Sequence, residues 1–168
     1  MIKRRMILRA VTALSVTGLV PHLMAQPKAE VEVWKDPNCG CCKDWVTHLQ
    51  ADGFTVKVND TGNAKARAKL GIPEALGSCH TALVGGYAIE GHVPAVDIRR
   101  LLKEKPKAAG LAVPGMPVGS PGMDSPIYGG RKDAYQVVLV LLDGKTRVFS
   151  SYKSTPSTEP IASKKETS

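Results

Sequence analysis

The sequence is poor in aromatic residues, and it has no apolar run long enough to cross a bilayer. Aromatic residues make up only 5% of the 168 residues, too few for the stacking surfaces that bind single-stranded nucleic acids. No Walker-type phosphate loop, Ser/His/Asp arrangement or pair of facing carboxylates stands out. Hydrolase and nucleotide-binding functions therefore have no positive support.

The first 25 residues have the pattern of a secretory signal peptide. Basic residues at positions 3–5 precede an apolar stretch from Ala10 to Val20, and Ala25 offers a small residue at a cleavage point. The apolar stretch is too short to span a bilayer, so residues 1–25 are predicted to be removed on export to a periplasm. Residues 4–9 also resemble a twin-arginine signal, which leaves the general secretory route and the twin-arginine route both open.

The charge balance is not that of a nucleic-acid-binding protein. The whole chain carries a net charge of +8. Without the four basic residues of the predicted signal peptide, 19 basic residues face 15 acidic residues, which leaves +4. A mildly basic surface with few aromatic residues predicts no nucleic-acid partner. The same composition predicts a soluble mature protein with no transmembrane segment.

Hydrophobic periodicity predicts an α/β domain over residues 26–153. Alternating or buried-type apolar residues predict strands at 31–34, 54–58, 81–84 and 87–90. Helical spacing predicts helices at about 41–51, 64–70 and 94–105. This order is typical of a thioredoxin-like sheet with flanking helices, in which the first cysteine cluster would lie at a strand-to-helix junction.

The remainder of the chain is predicted to be a loop, a hairpin and a tail. Residues 106–130, here named the Gly/Pro/Met loop, are rich in glycine and proline and are predicted to have no regular structure. Residues 135–142 and 146–152 flank Asp143-Gly144 and predict a closing β-hairpin. Residues 154–168 have the composition of a disordered tail.

The four cysteines are spaced in a way that argues against two structural disulfides. Cys39, Cys41 and Cys42 lie within four residues, and Cys79 follows far along the chain. A Cys41–Cys42 bond would be strained, because adjacent α-carbons are only about 3.8 Å apart. Any bond within the cluster closes a very small ring, which constrains the unfolded chain little.

Two functional interpretations of the cysteines remain open. Cys39 and Cys42 have the C-x-x-C spacing of a redox pair at a helix start, with Cys39 as nucleophile and Cys42 resolving. Alternatively, all four sulfurs bind a soft metal such as Cu(I), Zn(II) or an iron–sulfur cluster. The adjacency of Cys41 and Cys42 favours sulfurs that bridge several ions over a single zinc. An oxidising periplasm would also require reduced cysteines to be protected by a metal or a partner.

Two histidines and two methionines are candidate supporting groups. His80 follows Cys79 and is a candidate ligand or a donor that orients a ligand. His92 is expected to order the loop before the third helix, or to be a ligand. Met116 and Met123 carry thioethers suited to Cu(I), although loop methionines also pack on cores. His48 lies on a charged helical stretch and is expected to be exposed.

Four motifs occur in the order in which they are found in one known family. They are Asp36–Cys42 (DPNCGCC), Ser78–Ala82 (SCHTA), Glu90–Ala95 (EGHVPA) and Val113–Met123 (VPGMPVGSPGM). Together they resemble the exported copper-resistance proteins called CopG. The similarity extends from about Val31 to Tyr152.

The resemblance implies a thioredoxin-like fold and a role in periplasmic copper handling, including the cycling of Cu(I) and Cu(II). It also implies a copper–sulfur cluster bound by Cys39, Cys41, Cys42 and Cys79. The expected function is copper binding for resistance or homeostasis, with copper ions and other periplasmic copper-handling proteins as partners. The alternative is a thiol-disulfide or copper oxidoreductase that uses Cys39 and Cys42.

Overall fold

The computed structural model describes residues 29–157, so the predicted signal peptide and residues 158–168 of the predicted tail lie outside the described part. The strands are β1 (Glu30–Lys35), β2 (Thr55–Asn59), β3 (His80–Val84), β4 (Tyr87–Glu90), β5 (Gly110–Ala112), β6 (Tyr135–Val140) and β7 (Thr146–Tyr152). The helices are α1 (Gly40–Ala51), α2 (Ala64–Lys69) and α3 (Ala95–Glu104), with short 3₁₀ turns at Glu74–Leu76 and Pro126–Tyr128. Among these residues, no helix is both long and apolar enough to cross a bilayer.

The strands form one mixed sheet in the order β2-β1-β3-β4-β5-β6-β7. β1 and β2 are parallel and are connected through α1, whereas β3 runs antiparallel to both β1 and β4. β4 and β5 are again parallel, connected through α3, and the β6–β7 hairpin completes the sheet antiparallel to β5. The predicted α/β class, with flanking helices and a closing hairpin, is therefore confirmed.

The sheet buries apolar side chains on both faces. Neighbours in a strand point to opposite faces, and the pairs Ala88/Ile89 and Val140/Leu139 are divided between two separate apolar clusters. The larger cluster packs α1 and α3 on one face and includes Trp45 and Ile98. The smaller cluster packs the segment around Ile72 on the other face. The sheet is therefore covered by apolar side chains on both faces.

Strand β5 corrects the prediction that residues 106–130 have no regular structure. Gly110 pairs with Ala88 in the parallel ladder. A Cβ atom on Gly110 would lie 1.8 Å from the carbonyl oxygen of Ala88, so only glycine permits this approach. Three residues are too few to show the alternation by which a strand is recognised, which is why the sequence pattern did not reveal β5.

The C-terminal hairpin turns at the predicted Asp143-Gly144 pair. Gly144 has φ +80° and its N–H donates to the carbonyl of Leu141 over 3.0 Å. Beyond β7, Thr155 forms an isolated antiparallel bridge with Lys132, with both N–H···O distances at 2.9 Å. Thr155, in the predicted tail, is therefore paired with Lys132, which lies just after the Gly/Pro/Met loop.

Candidate metal centre

The first three cysteines lie where β1 turns into α1. The side chain of Asp36 accepts the N–H of Asn38 over 2.8 Å, and the backbone carbonyl of Asp36 accepts the N–H of Cys39 over 3.1 Å. This tight turn makes Cys39 the residue that precedes the helix and puts Cys41 and Cys42 in its first turn. The start of a helix favours negative charge, which suits sulfur ligands bound to a metal.

Cys79 brings a fourth sulfur to this helix start from the residue before β3. The Sγ atoms of Cys39, Cys41, Cys42 and Cys79 all lie within 4.8 Å of one another. The Sγ of Cys41 is 3.5 Å from that of Cys39 and 3.8 Å from that of Cys79. Cys42 is buried and the other three are partly buried. Residues 38 positions apart thus form one sulfur-rich group.

Cys39 and Cys42 are joined by a disulfide, and Cys41 and Cys79 are free thiols. This is the C-x-x-C pair on which the oxidoreductase interpretation rests. In this oxidised form two sulfurs remain available as free thiols, and reduction of the bond would make four available. The redox state of Cys39 and Cys42 therefore determines how many sulfur ligands the group can offer.

Two buried histidines extend the donor group. The Sγ of Cys79 lies 3.3 Å from Nδ1 of His80 and 3.1 Å from Nε2 of His92. Nδ1 of His92 lies 2.8 Å from the carbonyl oxygen of Pro121. Because a carbonyl can only accept, Nδ1 carries the proton and the Nε2 lone pair points toward Cys79. The structure therefore brings both histidines to the fourth cysteine.

Burial keeps these groups uncharged in the absence of a metal. It lowers the pKa of His92, and together with the charge of His92 it lowers the pKa of His80 well below its ordinary value. Burial raises the pKa of the Cys79 thiol to about 12, and the neighbouring Cys41 adds to this rise through its charge and its hydrogen bond. A metal ion would displace the Cys79 proton, since thiolates are the form that binds metals.

The donor set fits a soft metal ion. Thiolates and imidazoles are ligands of copper and zinc. Nε2 of His80 is buried without a hydrogen-bond partner among residues 29–157. A buried ring nitrogen without a partner, in a residue that also contacts the sulfur group, is consistent with a metal site.

The Gly/Pro/Met loop packs on α1, the helix that carries Cys41 and Cys42. Gly122 has φ +83°, and a Cβ atom at this position would lie 2.5 Å from the carbonyl oxygen of Cys41. Met123, the next residue, is partly buried, whereas Met116 is 52% exposed. The loop thus contacts the centre through backbone groups, and the role of the two methionines as ligands stays a prediction.

Two polar features near the centre were missed or mistaken from the sequence. The buried carboxylate of Glu90 pairs with Arg67 at 2.9 Å, although Glu90 belongs to a motif in which only the histidine was considered. His48 is partly buried, not exposed as expected, because its Nε2 accepts the N–H of Ala95 over 3.1 Å. The position of Glu90, a charged residue at the end of a predicted strand, was the sequence signal that could have revealed this buried ion pair.

Comparison with known proteins links this geometry to copper resistance. The family model described as "Protein of unknown function, DUF411" matches residues 76–123. Two solved structures, both titled as the copper resistance protein CopG, are 47% identical to this chain with a TM-score of 0.69. Form 1 covers 75% of this chain and 98% of its own, and Form 2 covers 74% and 98%. No curated protein matches the chain.

The identity is well above the level at which only a fold is shared, and it extends over nearly the whole of the CopG chains. The matched family segment also contains Cys79, His80 and His92. The chain therefore belongs to the CopG family of copper-resistance proteins.

Proposed function

We propose that the protein is exported to the periplasm and binds copper there for resistance or homeostasis. It holds Cu(I) in a small copper–thiolate cluster through Cys39, Cys41, Cys42 and Cys79. His80 and His92 complete the donor set, and Met116 and Met123 are further candidate ligands. The observation that supports this proposal best is the gathering of four sulfurs within 4.8 Å, with two histidine nitrogens beside Cys79.

The number of donors supports more than one metal ion. A structural zinc site uses four ligands, whereas this centre presents four sulfurs and two ring nitrogens. Cys79 belongs to both the four-sulfur group and the group with His80 and His92. This shared membership supports Cys79 as a sulfur that could bridge ions, and soft thiolates favour Cu(I) over harder metals.

Export is supported by the pattern of residues 1–25 and by the thiol chemistry. Exposed thiols in a bacterial periplasm are kept oxidised. Copper bound to the four sulfurs would protect them from oxidation, and the Cys39–Cys42 disulfide is the form expected when no metal is bound. Residues 1–25 would direct export by the general secretory or the twin-arginine route, and would be removed by cleavage.

The first test is the metal content of the mature protein. It is purified without oxygen after expression with copper, zinc and iron all supplied, and its free thiols are counted. We expect more than one copper per chain and protected thiols. Cys41→Ser is expected to lose copper, because Cys41 lies between the sulfurs of Cys39 and Cys79.

His48→Gln is the matched control for this test. It changes a potential donor on the same helix, but His48 binds a backbone N–H of α3 and not the sulfur group. This variant is expected to keep the copper content of the wild type. A Cys41→Ser protein with undiminished copper would contradict the cluster, and zinc or iron in the wild type would contradict the choice of metal.

The Cys39–Cys42 disulfide supports a second candidate function, a thiol-disulfide or copper oxidoreductase. A substrate thiolate would attack the sulfur of Cys39 and release Cys42 as a thiolate. A second substrate thiol would then resolve the mixed disulfide, leaving an oxidised substrate and a reduced protein. Metal-free Cys41→Ser is expected to retain this exchange and Cys39→Ser to lose it, so turnover in the first variant would favour the enzyme.

A further inference from the structure

Glu90 is a fully buried carboxylate at the end of β4 whose hydrogen bonds converge on the residues around Cys79. Its Oε1 accepts from the backbone N–H of Ser78 over 2.7 Å and from Nε of Arg67 over 2.9 Å. Its Oε2 accepts from the hydroxyl of Thr81 over 2.6 Å. The side chain is 0% exposed, and so the carboxylate depends on these partners for its charge.

Arg67 holds the other backbone group of the same residue, Ser78. Its Nη2 donates to the carbonyl of Ser78 over 2.8 Å, and the side-chain amide of Asn63 donates to the same carbonyl over 3.1 Å. Arg67 comes from α2 and is itself 8% exposed. The N–H and the C=O of Ser78 are thus both fixed by buried side chains, one residue before Cys79.

The segment that carries His92 is packed against the same place. Gly91 has φ +69°, and a Cβ atom there would lie 2.6 Å from the Ser78 side chain and 2.6 Å from the carbonyl oxygen of Val113. Its N–H donates to the carbonyl of His80 over 2.9 Å. Residues 78–80 and 90–92 therefore cannot shift independently, and Glu90 connects them.

We infer that Arg67 and Glu90 are positioning residues for the metal centre, which set the separation between the Cys79 sulfur and the His92 ring. A buried ion pair stabilises a fold little compared with apolar side chains of similar size. This pair instead makes hydrogen bonds of fixed direction to the N–H and the C=O of Ser78, the residue next to the donor Cys79. The inference rests on the proposed function, because it concerns how the same donors are held for copper.

The test replaces the whole pair, so that no single charge is left buried. In the Arg67→Met/Glu90→Leu variant, apolar side chains fill the space while the bonds to Ser78 from both residues are lost. We expect a folded protein whose Cu(I) affinity, measured by competition with a chromophoric chelator, falls at least tenfold. The near-ultraviolet copper–thiolate absorption should also change in position, since the Cys79–His92 geometry changes.

Glu90→Gln serves as the conservative variant. Its amide oxygen still accepts from Ser78, so we expect an affinity between those of the wild type and the double variant. Should the double variant fail to fold, Glu90→Gln and Asn63→Ala carry the test, because each removes only part of the network. An unchanged affinity and spectrum in the folded variants would overturn the inference.

Val140→Ala separates positioning from stability. Val140 is buried in the smaller apolar cluster, and its apolar side chain cannot hydrogen-bond to the Arg67–Glu90 network. Its truncation destabilises the sheet, and the affinity for Cu(I) is expected to remain that of the wild type. An equal loss of affinity in this variant would show that stability alone is responsible. A wild-type protein that binds no copper would instead contradict the proposed function, which keeps the two failures distinct.

Discussion

Gly122 is the residue at which the Gly/Pro/Met loop contacts α1. Its φ of +83° is in the left-handed region, and an added Cβ would meet the carbonyl oxygen of Cys41 at 2.5 Å and the N atom of Trp45 at 2.8 Å. Backbone atoms cannot move aside as a flexible side chain can. Glycine is therefore required here both for its conformation and for the space it leaves.

Gly122→Ala is expected to destabilise the protein and loosen the loop. The left-handed backbone costs about 1–2 kcal/mol with a Cβ present, and the clash adds about 1–3 kcal/mol. Gly115→Ala is the matched control, because Gly115 has φ +70° but nothing within 4 Å of its added Cβ. Urea unfolding and the rate of thiol labelling of Cys41 measure both effects. Equal losses in the two variants would refute the contact with the helix.

The residues of the candidate metal centre were predictable to different degrees. The four cysteines could be predicted from residue type and spacing, because few other uses explain three cysteines in four residues. They are Cys39, Cys41, Cys42 and Cys79. Glu90 and Arg67 do not, since their pairing joins residues 23 positions apart through the fold. A through-space ion pair leaves no local pattern in one sequence.

At the scale of elements, β5 is the strand on which the continuity of the sheet depends. It lies between β4 and β6, and thus connects the part that holds the cysteines to the C-terminal hairpin. Its residues Gly110, Leu111 and Ala112 are all fully buried or nearly so. The close approach of Gly110 to Ala88 leaves no room for a side chain.

Gly110→Ala is expected to weaken this junction strongly. The added Cβ would lie 1.8 Å from the Ala88 carbonyl oxygen, so the ladder must open, at a cost of about 3 kcal/mol or more. Gly40→Ala is the comparison, because nothing lies within 4 Å of its Cβ and its φ is not positive. That change should be neutral or stabilise by up to about 1 kcal/mol. Similar unfolding midpoints for the two variants would contradict this account.

Helices and strands with four or more residues were predictable, and the three-residue strand β5 was not. The Asp143-Gly144 pair marked the C-terminal hairpin because such a pair suits the positive φ of a tight turn, and Gly144 has it. The amphipathic spacing of Trp45, Val46 and Leu49 marked α1. β5 offered neither alternation nor a turn pair, so only the tertiary structure reveals it. The thioredoxin-like assignment stays a prediction.

At the scale of the whole molecule, Asp97 connects α3 to the C-terminal hairpin. Its buried carboxylate accepts hydrogen bonds from the hydroxyls of Ser150 and Tyr152, the latter over 2.6 Å. Tyr152 also stacks on Tyr135, with ring centroids 4.6 Å apart. Burial, followed by the bond to Asp97, raises the pKa of Tyr152 well above its ordinary value. The hairpin is thus connected to the core by a polar contact as well as by the sheet.

Tyr152→Phe is expected to lower the free energy of unfolding by about 1–3 kcal/mol, because a buried carboxylate loses a donor. Tyr87→Phe is the matched control, since its hydroxyl donates to the neutral carbonyl of Pro106 over 2.9 Å. That variant should lose about 1 kcal/mol. Urea titrations of both proteins measure the difference. A smaller loss for Tyr152→Phe than for Tyr87→Phe would show that the Asp97 contact contributes little.

The Cys39–Cys42 disulfide has a consequence for how the centre can be filled. Loading all four sulfurs requires two electrons per chain in addition to the metal, so copper uptake and electron supply are linked by stoichiometry. Two Cu(I) ions could deliver those electrons by becoming two Cu(II) ions, whereas Cu(II) arriving alone could not. The same polypeptide would then take up different amounts of copper according to the valence in which the metal is presented.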